Sequence, residues 1–497
     1  MSDSLRSIVC SAVLASAVLV AAGCERRAGS QTIGATGGPL AAESESATTT
    51  IEIGIGTQNT TTNTVTGGIV LKELGFLDKR LPRAGKYRNV TYAINWQNST
   101  SGPPITNGMM ANKIQIGMMG DYPLLVNGAT GQETSNETEL VAIIAYNAFG
   151  GGNGIVVAND SPFYELADLK GKKVSVPFGS AAHGMMLQAL QSHGLASDFW
   201  DLVSQSPEIG STNLQERRID AHGDFVPFAE LLPFRGIGRK IYDGAETQHP
   251  TLHGVVIRKD FGDKYPELVV AYIEALMDAN DWFRKDPRAA AERVEGWTKI
   301  DKEVVYMFLG PGGIHTLDAS IKPQWVDALR DDYAVLQKLN RIKTLNLGTW
   351  VNDKYVRQAF AERGLSYEDQ LHSLTGYAIE GDDPICKVPI TTPAQAGQIW
   401  IQAGDIVPFS SAVCTLAGVR HYAAEGKKLS AVYVMDHALG IKLFADKAFY
   451  VVGSKASGDS TVVPFLLKRD AELYAKQGGG KVATYTQALN AIPENIR

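Results

Sequence analysis

The chain has 497 residues, an apolar fraction of 44%, a charged fraction of 20% and a formal net charge of -6. Those proportions exclude the disordered and fibrous classes and leave room for two to four domains. Both signs of charge are scattered and no basic run tracks phosphates, so nothing points to nucleic acid as a partner. At the start, Arg6 precedes an apolar run from Ile8 to Val20 that is too short to span a membrane. Small residues follow it, and residues 1–24 read as a signal peptide of an exported protein.

Ala21-Ala22-Gly23-Cys24 resembles a bacterial lipobox, with Ala21 where Leu is usual. The resemblance implies cleavage before Cys24, lipidation of its sulfur and a lipoprotein anchored to the membrane in the periplasm or at the extracytoplasmic face. An ordinary signal peptide cut near Ala22 is the alternative. Residues 25–50, rich in Gly, Ala, Ser and Thr without apolar period, read as a flexible linker. Cys10 and Cys24 belong to this leader, so Cys386 and Cys414 are left for the folded body, where export permits a disulfide.

Alternation over Ile51–Ile55 predicts a strand, Thr57–Thr64 a polar loop, and Val65–Leu74 a helix closed by Gly75. Strands are then expected at Val90–Ile94, Ile114–Met118, Leu140–Ala145 and Val174–Pro177, with helical runs between them. That rhythm predicts α/β architecture with mainly parallel sheets. Gly154–Asp160 and Gly254–Asp260 share a Gly, an apolar strand and a polar turn, and suggest two crossing strands lying side by side between lobes. Pro266 to about Leu371 has helical spacing, Gly376–Pro384 reads as a domain break, and residues 385–497 revert to short strands and helices.

Four phrases carry a resemblance across residues 51–371: Asn112–Asp121, Leu166–Val174, Val176–His183 and Ile219–Phe228. Together they resemble the periplasmic binding proteins of nitrate/sulfonate/taurine-type ABC importers. The resemblance implies a two-lobed periplasmic-binding-protein type II fold over 51–375, with the second lobe at about 158–254. It implies a small-molecule solute held in the cleft and an ABC permease in the inner membrane as partner. Gly179-Ser180 opens a predicted helix, whose free N–H groups and dipole suit an anion, with Ser180 as donor or cap. Asn59, Thr60, Gly120, Asp121 and Tyr122 follow strand ends, where ligands of open α/β sheets bind. Trp96 is either an apolar wall or core. Asp121 and Asp224 would repel an anion unless paired; they favour a cationic or neutral hydrogen-bonding ligand, or are solvated loop residues. His183 and His222 are candidates for an anion or a metal.

Ala431–His437, Ala448–Ser454, Val463–Phe465 and Gly478–Val482 are similar to the NosL-like copper lipoproteins. That resemblance implies an α+β domain over 385–497. The family's Cys-x-x-Cys-Gly-Met run reads Cys386-Lys387-Val388-Pro389-Ile390 here, so one thiolate of the run remains. Cys386, Cys414, Met435 and His437 are the available soft set for Cu(I), or else a disulfide or two buried thiols, a core Met and an exposed His. No nucleophile elbow, phosphate loop or zinc motif appears, Gly54-x-Gly56 lacks a dinucleotide fingerprint's third Gly, and Asp382-Asp383 sits in a polar linker. The expectation is a binding protein, with a copper-handling lipoprotein as the alternative, and not an enzyme.

Overall fold

The computed structural model describes residues 48–374, 376–454 and 462–493. The chain divides into two compact units at Thr48, and the signal peptide, Cys24 and the linker up to Ala47 lie outside the described residues. Among the described residues no helix is long and apolar enough to cross a membrane.

Strands β1 (Thr49–Thr57), β2 (Val90–Asn98), β3 (Ile116–Gly120) and β4 (Thr138–Asn147) open the body. The chain then builds β5 (Gly154–Ala158), β6 (Lys173–Val176), β7 (Asp201–Ser204), β8 (Ala221–Asp224) and β9 (Gly238–Asp243). It returns through β10 (Thr251–Arg258) and the short β11 (Thr316–Leu317). One sheet has the order β11-β4-β10-β3-β1-β2 and the other β7-β6-β8-β5-β9, which makes the two lobes. Ile51, Ile53 and Ile55 of β1 point into the first lobe's core, as their alternation requires. All of β3 is buried because helices cover both faces of this central strand, whereas edge strand β2 alternates half-buried and exposed positions.

The sheets are mixed, not mainly parallel. β1 pairs in parallel with β2 and β3, and β6 with β7 and β8. β10 runs antiparallel to β3 and β4, and β5 antiparallel to β8 and β9. The reason is direction of entry. The parallel strands end at the cleft, but a strand reached from the other lobe starts there, and so Gly154 pairs with Asp224 and Thr251 with Asn147.

For the same reason β5 and β10 lie in different sheets and are not the adjacent crossing strands that the sequence suggests. The adjacent segments are residues 148–153 and 244–250, where the Gly244 N–H donates to the Asn153 carbonyl at 3.0 Å. Gly150 has φ +90°, and a Cβ there would collide with the carbonyl oxygens of Gly244 and His249. Only glycine lets the two backbones approach this closely.

Helices of the expected 266–371 stretch, among them Pro266–Lys285, Lys302–Leu309 and Pro323–Lys338, complete the first lobe's core with Phe283 and Trp325 fully buried. Beyond them stand β12 (Gly397–Ile401), β13 (Ile406–Phe409), β14 (Leu429–Met435) and β15 (Lys442–Phe444), in the order β13-β12-β14-β15. A second small sheet, β17-β16-β18, joins β16 (Phe449–Val452), β17 (Val462–Phe465) and β18 (Lys481–Ala483).

This α+β domain touches both lobes. Tyr433 donates its hydroxyl to the Glu303 carbonyl at 2.9 Å, while Phe444 packs on Phe234 of the second lobe with ring centroids 4.8 Å apart. Between them Lys442 is fully buried, donating to the Pro311 carbonyl at 2.5 Å and to Gln398 Oε1 at 2.7 Å. Its ammonium lies 4.9 and 5.1 Å from the rings of Tyr306 and Tyr433, and burial pushes its pKa down to about 7.

Gly150→Ala puts a Cβ into a left-handed, crowded position at the crossing. The variant should lose roughly 1–3 kcal/mol, read as a lower urea midpoint, and an unchanged midpoint would contradict this account of the crossing.

Candidate functional site

After β1 the polar loop folds inward. Gln58 Nε2 donates to the Met118 carbonyl of β3 at 3.0 Å, and the Thr64 hydroxyl donates to Gln58 O at 2.9 Å, which pins the loop over the strand ends. Thr61, Thr62, Asn63 and Thr66 are thereby buried, yet the three threonine hydroxyls and Asn63 Oδ1 have no hydrogen-bond partner. Asn63 Nδ2 meets His253 Nδ1 of β10 at 3.2 Å. His315, just before β11, stands edge-on to His253 with ring centroids 6.4 Å apart and stacks on Phe308. Neither nitrogen of His315 has a partner, nor has Asn153 Oδ1 on the crossing segment. Burial pushes the His253 pKa down to about 3, and burial with His253 and Lys240 nearby depresses His315, so both rings are neutral. An unmet buried donor or acceptor costs on the order of 1–3 kcal/mol, so this cluster is the candidate place for a ligand's hydrogen bonds.

The second lobe brings the N-terminus of helix Ala181–Ser192 to this floor. Ser180 is its N-cap, accepting the His183 N–H at 3.3 Å, and Gly179, at φ +77°, donates its N–H to His183 Nδ1 at 3.1 Å. Phe178 stacks on the His183 ring, whose pKa burial and the nearby Arg341 push down to about 4, and whose Nε2 has no partner. Gly120 of β3 faces both Ala181 and His253, and the ring of Tyr122 fills the space that a side chain at Gly184 would take. The lobes touch here, with Ala181 in the first turn of that helix and the His253 ring both bordering Gly120.

The structure separates the residues that the sequence singled out. Asn59 and Thr60 are half-buried beside the loop, with Asn59 donating its N–H to Asn98 Oδ1 at 2.8 Å and keeping its own Oδ1 unpartnered. Gly179, Ser180 and His183 stand at the closing helix. Trp96 lies on β2 against the first lobe's core. Asp121 is not a solvated loop residue and presents no free oxygen: it accepts from the Tyr122 N–H at 2.8 Å, the Thr251 hydroxyl at 2.6 Å and the Leu252 N–H at 3.4 Å. Asp224 is likewise consumed, by His222 Nε2 at 2.8 Å and the Phe225 N–H at 2.8 Å. His222 also meets Ser175 Oγ at 2.7 Å, a Ser-His-Asp chain whose members are all fully buried in the second lobe's core and closed to a substrate. Thr61, Thr62, Thr66, Asn63, Asn153, His253 and His315 escape sequence reasoning. The threonines look like a connector, and the histidines sit in apolar runs beside Leu252 and Ile314.

A latch lies next to the cleft. Asp332 of helix Pro323–Lys338 accepts from Gln188 of the second lobe at 2.6 Å and from His249 of the crossing at 2.8 Å. Burial, with Asp332 nearby, pushes the Asp121 pKa up to about 7.

In the C-terminal domain the sulfurs of Cys386 and Cys414 are joined in a disulfide. Asp383 holds that loop, accepting the N–H groups of Ile385 and Cys386 and both the N–H and hydroxyl of Ser410, at 2.7 to 2.8 Å. Neither sulfur is a thiolate in this state, so the four residues do not fit the soft Cu(I) set that the sequence offers. Met435 and His437 remain, lining a cavity of about 380 Å³ with Ser411, Pro464 and Tyr474.

A family model described as NMT1-like matches residues 46–296. The chain belongs to that family. A second model, NosL, matches residues 382–492, so a NosL domain closes the chain. The taurine-binding periplasmic protein of Escherichia coli (strain K12) is 29% identical over 210 residues, 42% of this chain and 62% of that protein's own length. Among solved structures, the alkanesulfonate-binding protein SsuA from Xanthomonas axonopodis pv. citri, bound to MOPS, superposes with a TM-score of 0.52 at 19% identity. It covers 61% of this chain and 98% of its own. The periplasmic nitrate-binding protein NrtA from Synechocystis PCC 6803 gives 0.50 at 15%, over 65% of this chain and 91% of its own. These likenesses agree with the two-lobed type II fold.

Asp121 binds its proton more tightly folded than unfolded. Its contribution to stability therefore falls as pH rises from its ordinary value of 3.8 to about 7. Urea midpoints of the parent should drop over that interval more than those of Asp121→Asn, and equal slopes would contradict the assignment.

Proposed function

We propose that the chain is the extracytoplasmic, lipid-anchored solute-binding subunit of an ABC importer. It closes two lobes over one small polar or anionic solute and delivers it to a permease. The observation that carries this reading is the set of buried, unpartnered polar atoms from Thr61, Thr62, Asn63, Thr66, Asn153 and His315 where the lobes meet. The names of the relatives, which bind taurine, alkanesulfonate and nitrate, support the solute class, and the N-terminal motif at Cys24 supports the anchor. A binding role is supported by the relatives, which are named as binding proteins.

Thermal unfolding with taurine, methanesulfonate and nitrate tests this. A ligand at a hundred times its Kd adds about 2.7 kcal/mol, a rise of several degrees. Thr62→Val with Asn63→Leu should abolish the rise while the variant stays folded. No rise with any of the three would count against the reading.

A second reading rests on the cavity that holds Met435 and His437 in the NosL domain: a metal-handling accessory role, with the disulfide reduced or bypassed. Anaerobic Cu(I) loading of the intact protein should lose one equivalent in Met435→Ala with His437→Ala. Equal loading of parent and variant would sink it.

A further inference from the structure

We propose that His253 and His315 carry the charge balance of the cleft: an anionic solute binds together with one proton from solvent, which one of the two imidazoles takes. This rests on the capture reading above and adds which protonation state holds the solute. The balance is simple. The empty site has two neutral rings, and the loaded site has one imidazolium, one neutral ring and the anion, with no net change in buried charge.

The first support is that, among the described residues, the cations whose charge acts on these imidazoles are already engaged or exposed. Lys240 is the fixed charge that acts on His315, and its ammonium is already held by Glu230 and by Asp243 at 2.6 Å. In that buried trio the ammonium is already matched by carboxylates and is not a free cation for a further anion. Arg341 acts on His183 from an exposed position at the end of helix Pro323–Lys338. Leaving a buried anion unpaired costs far more than leaving a neutral amide unpaired, so compensation must come from a group that can change its charge.

The second support is geometric. The Asn63 amide now donates to His253 Nδ1, and its Oδ1 has no partner. Turning that amide by half a rotation offers Oδ1 to an Nδ1–H, so His253 gains a proton without losing its bond. His315 has both nitrogens unpartnered, and whichever of them lacks the neutral ring's proton can receive one. The groups facing the pair favour coupling over permanent charge. Helix Lys302–Leu309 brings the Phe308 ring, and Asp121, which opens the helix after β3, is already engaged with Thr251 and Tyr122. The crossing brings His249, bonded to Asp332, and the second lobe brings His183 and the Lys240 trio. Ala181, at the positive end of its helix, lies beside Gly120 and His253. That end opposes a lone imidazolium and favours an anion, so proton and anion stabilise each other's arrival.

A metal ion would also suit two imidazoles. Among the described residues, however, the clusters with three ligating groups in reach are Asp383 with the two cystine sulfurs and Glu295 with Asp301 and Glu303. The histidine pair belongs to neither and lacks a third protein ligand.

Titration calorimetry of the intact protein with methanesulfonate, at pH about 6, 7 and 8, decides the matter. Phosphate and Tris buffers have different ionisation heats, and sulfonate buffers are avoided because they carry the probe's own headgroup. The expected result is a buffer-dependent heat equal to uptake of up to one proton and a Kd that rises with pH, up to tenfold per unit. His253→Gln with His315→Gln should weaken binding and remove the buffer dependence, while Arg341→Gln should keep it. If the double variant does not fold, the buffer dependence of the parent alone decides. Binding with no buffer dependence and a constant Kd overturns the proposal and leaves solute capture standing. Loss of the buffer dependence in Arg341→Gln alone also overturns it. Failure of methanesulfonate, taurine and nitrate all to bind overturns capture and the proposal together. Retention of zinc or copper alone, lost in His315→Gln, replaces the proposal with a metal site.

Discussion

Closing the lobes takes water away from hydroxyls, amides and imidazoles that have no partner inside the chain. The rest of the molecule is arranged around that constraint. Thr61, Thr62, Thr66 and Asn63 are pressed in by a loop that Gln58 ties to β3, and His315 is held by the stacked ring of Phe308. Each unmet group costs on the order of 1–3 kcal/mol, so closure without a solute works against itself. Contacts that favour closure oppose this cost: Tyr122 against Gly184, and Gln188 bonded to Asp332 across the lobes. On the proposed reading, such a near balance lets a solute's own hydrogen bonds decide whether the lobes stay shut.

Much of the scaffold is legible in the sequence because it rests on periodicity. The alternation of Ile51, Ile53 and Ile55, the glycine after the first helix and the strand–turn–helix at Gly179-Ser180 are local signals with local causes. The direction of β5 and β10 is not local. Both read as ordinary apolar strands, and only the path of the chain between lobes makes them antiparallel to their neighbours. The site is less legible still. Asp121 and Asp224 stand at strand ends and look available, but tertiary partners use up their oxygens. His253 sits inside an apolar strand and looks like core until Asn63, far away in sequence, is seen beside it.

The NosL domain is part of the same mechanical body. It touches helix Lys302–Leu309 through Tyr433, the second lobe through Phe444, and the crossing through Ile441 beside Gly151. Any rotation of one lobe against the other therefore moves against this domain too. Its disulfide and Asp383 brace the segment that enters it, tying Cys386 to the helix that carries Cys414.

Native mass spectrometry of the protein as isolated tests the central claim most directly. The account predicts a population heavier by one small solute, with the bare protein taking up one molecule of a small anion from a mixed panel. A bare mass throughout, before and after exposure to that panel, would contradict it.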